Sequence, residues 1–120
     1  MGKSRKDNIV LDKSFDFAVR IVNLYKYMTE QKKEYVLSKH ILRCGTSIGA
    51  NTAEAQRGQS KADFAAKMSI ALKEAYESDY WLRLLYSTEY IEEKVYKSLK
   101  KDNEELIKLL MSICKKASEK

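Results

Sequence analysis

Residues that interrupt regular structure are almost absent from this 120-residue chain. It has no proline and only four glycines, at positions 2, 45, 49 and 58. Proline and glycine are the main interruptions of helices, so their scarcity predicts long helices joined by short connections. No stretch shows the strict alternation of apolar and polar residues that indicates a half-buried strand. The chain is therefore predicted to be all-α, and its length favours a single domain.

Histidine and cysteine are also scarce, with one histidine and two cysteines in the chain. His40 is the one histidine, so neither a di-iron bundle with two Glu-x-x-His motifs nor a Cys/His zinc site is available. A Ser-His-Asp triad would have to use His40, which has no supporting motif around it. His40 is most simply a surface or boundary residue. The sequence predicts a non-enzymatic protein with no cofactor and no metal.

Three carboxylates keep one catalytic alternative open. Glu74 and Glu77 share a helix face with Trp81, and Glu54 ends a polar strip on the preceding helix. A paired-carboxylate acid/base site is conceivable there. Hydrogen bonding across a helix interface explains these carboxylates better, and Trp81 then packs with its indole N–H bonded to a partner.

Long apolar runs and disulfide patterns are missing as well. The longest charge-free run covers the ten residues 44–53, far short of the roughly 20 that a membrane-spanning helix needs. The basic start of the chain is not followed by the apolar segment of a signal peptide. Cys44 and Cys114 lie in apolar helical patterns, which predicts reduced, buried thiols. These features favour a cytoplasmic protein with no membrane partner.

Apolar residues recur at steps of three and four in four segments, which predicts four amphipathic helices. After a polar, basic arm at residues 1–11, the bundle is predicted to occupy residues 12–118. Its first two helices are expected at about 12–30 and 34–56. The third follows a capping box at Ser60–Asp63 and ends before a connection at 86–90, and the fourth covers about 92–116. Gly58 suits the C′ position after the second helix, and Ile91 is expected to turn inward.

Short connections between four such helices favour an up-down-up-down four-helix bundle. The predicted core positions are Phe17, Ile21, Leu24 and Met28, widened by Ala18, Val22 and Tyr25; Leu37, Ile41, Cys44, Ile48, Thr52 and Ala55; Phe64, Met68, Ala71, Ala75, Ser78, Leu82 and Leu85; and Val95, Leu99, Asp102 or Asn103, Leu106, Leu109 or Leu110, and Ile113.

The stretch 43–55 carries two further strips beside its core positions. Gly45, Gly49 and Ala53 form a strip of small residues, and a mid-helix glycine costs about 1 kcal/mol against alanine. The cost predicts close approach by a second helix. Asn51 and Glu54 belong to a polar strip and are expected to be buried and bonded to the third helix of the same or a neighbouring chain. The predicted helix or subunit interface comprises Arg43, Gly45, Ser47, Gly49, Asn51, Glu54, Glu74, Glu77 and Trp81.

Positive charge is concentrated in the first half of the sequence. Residues 1–61 contain 12 Lys/Arg and 6 Asp/Glu, whereas residues 62–120 contain 11 of each. An uneven basic charge favours an anionic partner, and nucleic acid is the commonest. Improved solubility is the alternative reading of this charge. The predicted contacts to nucleic acid, with RNA preferred over DNA, are Arg20, Lys26, Lys32, Lys33 and Lys39, together with Lys3, Arg5 and Lys6 of the arm.

Three tyrosines lie among these basic residues. Tyr25, Tyr27 and Tyr35 would add base stacking if they were exposed. Packing in the core and at its rim is the alternative, and the pattern favours it.

Residues 43–55, Arg-Cys-Gly-Thr-Ser-Ile-Gly-Ala-Asn-Thr-Ala-Glu-Ala, resemble the signature of the 23S rRNA intervening-sequence protein family. Residues 17–22, 63–64, 69–75 and 77–82 continue the resemblance, which covers roughly 12–115. Cys44 is a departure, because the family often has serine there. The resemblance implies a four-helix protomer and a ring-shaped homopentamer. The family is distantly similar to accessory proteins of diversity-generating retroelements, which bind nucleic acid and a reverse transcriptase.

The resemblance brings no catalytic residues, because the family has none established. The prediction is a non-enzymatic homo-oligomer that binds structured RNA through a basic surface. The alternative is a protein-interaction scaffold that recruits a partner enzyme without binding nucleic acid.

Overall fold

Four amphipathic helices account for nearly all of the chain in the computed structural model, which describes residues 5–119. They are α1 (Arg5–Glu30), α2 (Leu37–Ala55), α3 (Lys61–Ser87) and α4 (Glu93–Ala117), and no strand occurs within the described range. Each helix packs against its two neighbours in the cyclic order α1, α2, α3, α4. Helices α2 and α3 are antiparallel, since Arg43 meets Glu74 while Glu54 meets Lys67. Contacts between α1 and α2 and between α3 and α4 show the same antiparallel order. The predicted all-α, up-down-up-down bundle is confirmed.

The core forms along the seams that the spacing predicts. Phe17, Ile21 and Met28 of α1 are at most 1% exposed, as are Ile41 and Ile48 of α2. Burying one such side chain stabilises the fold by about 1.5–3 kcal/mol. The remaining fully or nearly buried apolar residues of the predicted seams are Leu24, Cys44, Ala55, Met68, Ala71, Ala75, Leu82, Leu85, Leu99, Leu106, Leu110 and Ile113.

Two predicted core positions, one on α4 and one on α1, are exposed instead. Val95 is 39% exposed and Val22 is 36% exposed, so neither belongs to the core. Asn103 rather than Asp102 is buried, and its Nδ2 donates to the carbonyl of Ala75 on α3 over 2.8 Å. Ile91 is 5% exposed, which confirms that it turns inward.

Helix α1 begins at Arg5, so the predicted start near Asp12 is wrong, and residues 5–11 belong to the bundle rather than to an arm. Val10 explains the difference. It is completely buried, one helical repeat before the predicted seam begins at Phe17. Val10 therefore continues the buried seam towards the start of the chain. Residues 5–11 contain no proline or glycine that would interrupt the helix.

The predicted start of α2 at Glu34 is also wrong, because Glu34 caps this helix from outside it. Its carboxylate accepts hydrogen bonds from the backbone N–H groups of Leu37 and Ser38, at 3.0 and 2.8 Å. Burial acts to raise the pKa of Glu34, but these bonds outweigh it and lower the pKa. Lys33 just before it has φ 55°, which turns the chain out of α1. A carboxylate at a helix N-terminus also complements the helix dipole.

The α2–α3 connection confirms the prediction for Ser60 and contradicts it for Gly58. The hydroxyl of Ser60 accepts from the backbone N–H of Asp63 over 3.1 Å, which confirms the predicted N-cap of α3. Gly58 does not have the positive φ of a C′ glycine. A Cβ there would lie 3.2 Å from both the carbonyl oxygen of Ala55 and the amide nitrogen of Phe64. Gly58 is thus explained by close backbone approach.

The two glycines of the small-residue strip pack against α1 of the same chain, whereas Ala53 is exposed. A Cβ at Gly45 would lie 2.8 Å from Cγ1 of Ile21, and one at Gly49 would lie 3.2 Å from the backbone oxygen of Ser14. Beside them the hydroxyls of Ser14 and Thr52 are hydrogen-bonded at 3.1 Å. The predicted close approach is confirmed. Since it occurs within the protomer, these glycines do not argue for assembly.

The bundle has two ends and a waist, and its principal extents are 47 × 21 × 18 Å. We call the end formed by residues 5–11, 52–67 and 110–119 the termini end. The opposite end, formed by residues 24–42 and 83–97, is called the far end. The waist comprises residues 12–23, 43–51, 68–82 and 98–109.

A methyl group at Gly45 should push α1 and α2 apart. We expect Gly45→Ala to lower the free energy of unfolding by about 1–2 kcal/mol, because the overpacking cost exceeds the gain in helix propensity. In an Ile21→Ala background the space is vacant, and the same substitution should then be neutral or stabilising. Equal losses of unfolding free energy in both backgrounds, measured by urea unfolding, would show that contact with Ile21 is not what excludes a side chain at Gly45.

Candidate nucleic-acid and subunit interfaces

Four of the predicted nucleic-acid contacts lie together at the far end. Lys26 is in the last turns of α1, Lys32 and Lys33 are in the α1–α2 connection, and Lys39 is in the first turn of α2. All four are exposed. None pairs with a carboxylate among the ion pairs of residues 5–119. The fold therefore joins charges from two helices and a turn into one solvent-facing group.

Aromatic rings accompany these lysines. Tyr27 is 41% exposed and Tyr35 is 53% exposed, so the packing role favoured by the pattern is wrong for both. The ammonium of Lys32 lies 5.8 Å from the centroid of the Tyr27 ring, within the range of a cation–π contact. Tyr25 is half-buried, as packing predicts. The far end thus presents cations beside two exposed ring faces.

The other predicted contacts do not join this group. Arg20 reaches across to α4, where its guanidinium donates to Asp102 at 2.6 Å and to the hydroxyl of Ser98 at 2.9 Å. Arg5 and Lys6 lie at the termini end, and Lys6 donates to Ser112. Lys3 lies outside the described residues. The predicted basic surface therefore divides between the two ends of the bundle.

Arg20 also borders a cleft of about 470 Å³ between α1 and α4. Its apolar wall is made by Leu24, Ile91, Val95 and Leu99, and Tyr27 lies at its edge. Because the Arg20 guanidinium is already bonded to Asp102, this cleft offers apolar contact more than a free charge.

Arg43 organises a polar cluster across α2 and α3. Its guanidinium donates to Glu74 at 2.9 Å and to Glu77, and Glu77 accepts from the indole N–H of Trp81 at 3.2 Å. The imidazole of His40 stacks on Trp81, with ring centroids 4.4 Å apart. The structure therefore confirms a packed tryptophan with a bonded N–H, and it places His40 at the surface.

The charges of this cluster stabilise one another. Glu74 is only 7% exposed, so its carboxylate depends on Arg43 for compensation. Burial acts to raise the pKa of Glu77, but hydrogen bonds from Trp81 and Arg43 outweigh it and lower the pKa. The bond to Glu77 raises the pKa of Arg43. Arg43 and these two carboxylates therefore form a structural ion-pair network.

Asn51 and Glu54 of the polar strip differ from the prediction. Asn51 is half-buried and donates to the carbonyl of Ser47 on its own helix, and Ser47 in turn donates to the carbonyl of Arg43. Glu54 has a 61% exposed side chain and only a 3.7 Å contact with Lys67. The expected burial against α3 of the same chain is therefore wrong for both Asn51 and Glu54. These side chains are available to a neighbouring molecule.

An exposed apolar face on α1 was missed by the sequence analysis. Phe15 is 68% exposed and Val19 is 46% exposed, and with Val22 they recur at steps of four and three. This spacing was the available signal, and it lies opposite the buried seam of the same helix. Ala50 and Ala53 of α2 are exposed beside Gly49, which packs on α1. Together Phe15, Val19, Val22, Ala50 and Ala53 form what we call the α1–α2 face.

Within 5–119 no group of three or more His, Cys, Asp or Glu side chains is arranged to hold a metal ion. Burial raises the pKa of the Cys44 thiol to about 11, so it is not a reactive thiolate near neutral pH. None of the four helices is long and apolar enough to cross a bilayer.

Comparison with known proteins identifies relatives of this fold. The sequence model of the family described as 23S rRNA-intervening sequence protein matches residues 6–112. The chain is also similar to a crystal structure, at 1.70 Å resolution, of a Bacteroides thetaiotaomicron protein of unknown function from the S23 ribosomal protein family. The two are 60% identical with a TM-score of 0.90, over 92% of this chain and 98% of that one. No curated protein matches the chain.

Removing Arg43 should leave Glu74 buried without a counter-charge. We expect Arg43→Met to lower the free energy of unfolding by about 1–3 kcal/mol, less than for a fully buried pair because Arg43 is half exposed. Arg43→Met with Glu74→Met should recover much of this loss. Lys67→Met, which breaks an exposed pair, is the matched control with a loss of about 0–1 kcal/mol. A loss from Arg43→Met no larger than the control's would contradict the role given to Glu74.

The lowered pKa of Glu77 makes its contribution to stability depend on pH. Its folded-state pKa lies below the ordinary value of 4.5. The stabilisation is therefore complete above about pH 4.5 and is lost as pH falls through the lowered pKa. Urea unfolding of wild type and Glu77→Gln should show a constant difference from about pH 7 to pH 5 and a shrinking one below about pH 4.5. A difference that persists in acid would mean that the charge of Glu77 is not what stabilises the fold.

Proposed function

The chain belongs to the 23S rRNA-intervening sequence protein family, and we propose that it is a non-enzymatic, ring-shaped homo-oligomer that binds structured RNA. RNA is preferred over DNA, and a pentamer is the expected ring. The related crystal structure has no known function, so the proposal depends on the surfaces of this chain. We place the protein in the cytoplasm, where its two free thiols would stay reduced.

The four unpaired lysines of the far end are the observation that carries the RNA-binding proposal. Lys26, Lys32, Lys33 and Lys39 are exposed, and no ion pair holds them among the described residues. Free ammonium groups replace the counterions that surround a phosphate backbone, which favours binding at low salt. Tyr27 and Tyr35 add exposed rings on which unpaired bases can stack.

Structured RNA combines the two features that such a surface would contact. Its helices present closely spaced phosphates to the lysines, and its loops present unstacked bases to the tyrosines. Neither kind of contact requires a particular sequence. We therefore expect weak sequence selectivity and a strong dependence on salt.

The α1–α2 face supports the assembly part of the proposal. Phe15 and Val19 are large apolar side chains left in solvent on a helix whose opposite side is fully packed. A contiguous apolar patch of this kind commonly marks a protein interface. Ala50 and Ala53 contribute small, uncharged residues that would let a neighbouring helix approach closely. A ring would also repeat the lysine group, so that modest attraction per chain becomes strong by multivalency.

The same face also gives the scaffold alternative a defined binding surface. If a different protein covers Phe15 and Val19, the chain recruits that partner through apolar contact and has no need of RNA. The oligomeric state and the salt dependence of RNA binding separate the two functions.

The α1–α2 face predicts the outcome of a mass measurement. Light scattering at micromolar concentration should give a multiple of 13.9 kDa, with five the expected number. Phe15→Glu with Val19→Glu should shift the mass towards one protomer, because charge would be buried in the interface. Val95→Glu with Met111→Glu introduces the same charge at exposed apolar positions of α4 and should leave the mass unchanged. A wild-type monomer would end the assembly proposal.

Removing the far-end lysines should weaken RNA binding and its salt dependence together. The test variant carries Lys26→Gln, Lys32→Gln, Lys33→Gln and Lys39→Gln. In filter-binding titrations, each lost phosphate contact should reduce the slope of log affinity against log salt by about 0.7–0.9.

The matched control carries Gln at four exposed waist positions, Lys13, Lys73, Lys101 and Lys108, and has the same net charge. It should retain most of the wild-type affinity. Equal losses of RNA affinity in the two variants would mean that only the net charge of the protein matters for binding. No binding of wild type at low salt, with the oligomer intact, would favour the scaffold.

A further inference from the structure

The fold separates paired from unpaired cations along the bundle. In the waist, residues 12–23, 43–51, 68–82 and 98–109 contain seven Lys/Arg and eight Asp/Glu. Four of those seven cations are ion-paired: Lys13, Arg20, Arg43 and Lys100. The waist is therefore close to neutral, and most of its positive charge is internally compensated.

The termini end has the opposite character. Residues 5–11, 52–67 and 110–119 contain seven Lys/Arg and four Asp/Glu, and the one ion pair between described residues there joins Lys67 to Glu54. The six other cations are all exposed, and they come from the start of α1, the α2–α3 connection with the first residue of α3, and the end of α4. They are Arg5, Lys6, Arg57, Lys61, Lys115 and Lys116.

The far end has a similar but weaker excess. Residues 24–42 and 83–97 contain seven Lys/Arg and five Asp/Glu, and Lys97 is paired with Glu93. The termini end, where only Arg5 and Lys6 were predicted to bind, is thus at least as positive as the end that holds most of the predicted contacts. Lys115 and Lys116 were not predicted because they lie in the half of the sequence whose net charge is zero, and Arg57 and Lys61 were not singled out although they lie in the basic half.

The two positive ends act independently in solution. The bundle is 47 Å long, whereas the Debye length is about 8 Å at physiological ionic strength. A nearly neutral waist separates them. Both groups of cations would be neutralised if one phosphate backbone bound at each end.

We propose that the termini end is a second phosphate-backbone surface and that the protein bridges two RNA segments, one at each end of the bundle. The proposal extends the RNA-binding function and depends on it. The cations at the termini end are contributed by three separate chain segments, so the surface exists only in the folded bundle. Lys6 donates to Ser112 and Lys61 donates to the carbonyl oxygen of Glu119. None of the six cations pairs with a carboxylate among residues 5–119, so their charge can displace counterions from RNA.

A bridging assay tests this directly. One structured RNA is immobilised, a second RNA with a fluorescent label is added with the protein at low salt, and retained fluorescence reports bridging. Binding to each RNA alone is measured in parallel. The termini-end variant carries Arg57→Gln, Lys61→Gln, Lys115→Gln and Lys116→Gln. The far-end and waist variants described above change the same number of charges.

Wild type and the waist variant should bridge. Each end variant should keep binding a single RNA with roughly tenfold lower affinity and should lose most of the bridging, with melting temperature and oligomer mass unchanged. Bridging by the termini-end variant equal to that of the waist variant would overturn the inference. Wild type that binds one RNA without bridging would overturn it while leaving the proposed function intact. Wild type that binds no RNA would instead overturn the proposed function.

Discussion

Close backbone contact sets the position of α1 against α2 in this bundle. Gly45 has no room for a Cβ because Ile21 lies against its backbone, and Gly49 is held against Ser14. Two glycines within a helix weaken it locally, and the tight packing of α1 compensates. The large side chains Phe15 and Val19 lie on the side of α1 opposite its buried seam and therefore remain outside, on the α1–α2 face.

The opposite side of α2 is joined to α3 by charge rather than by small residues. Arg43 compensates the buried carboxylate of Glu74 and also bonds Glu77, which is bonded to Trp81. An arrangement of this kind specifies which residues face each other, because slipping one helix against the other would leave Glu74 uncompensated. The two sides of α2 therefore use different physical means to set its position, and the charges of the waist are largely consumed in doing so. The exposed, unpaired cations are concentrated at the ends.

Much of this fold follows from the sequence by periodicity alone. Apolar spacing located the buried positions of α2 and α3, and Ser60 located the start of α3. Periodicity failed where a residue outside the helix satisfied its first N–H groups, as Glu34 does for α2. It also failed where an apolar residue continued a seam beyond a polar stretch, as Val10 does in α1.

The surfaces were harder to predict than the core, for a physical reason. A buried seam is a property of one helix, whereas a charged surface depends on which chain segments meet in space. Arg20 is similar in sequence context to the other basic residues of the first half, yet Asp102 of α4 engages it. Lys115 and Lys116 lie in the half of the sequence with no net charge, yet the fold brings them beside Arg57 and Lys61 at the termini end. Only the packing order of the helices separates these cases.

Lysine footprinting of the RNA complex would test most directly whether RNA binds at the two ends of the bundle. Amine acetylation is measured by mass spectrometry on the intact wild-type protein with and without structured RNA. RNA should protect Lys26, Lys32, Lys33 and Lys39 at the far end and Lys61, Lys115 and Lys116 at the termini end, while Lys73, Lys101 and Lys108 of the waist stay reactive. Uniform protection of all these lysines, or protection confined to the waist, would contradict the assignment of RNA binding to the ends of the bundle.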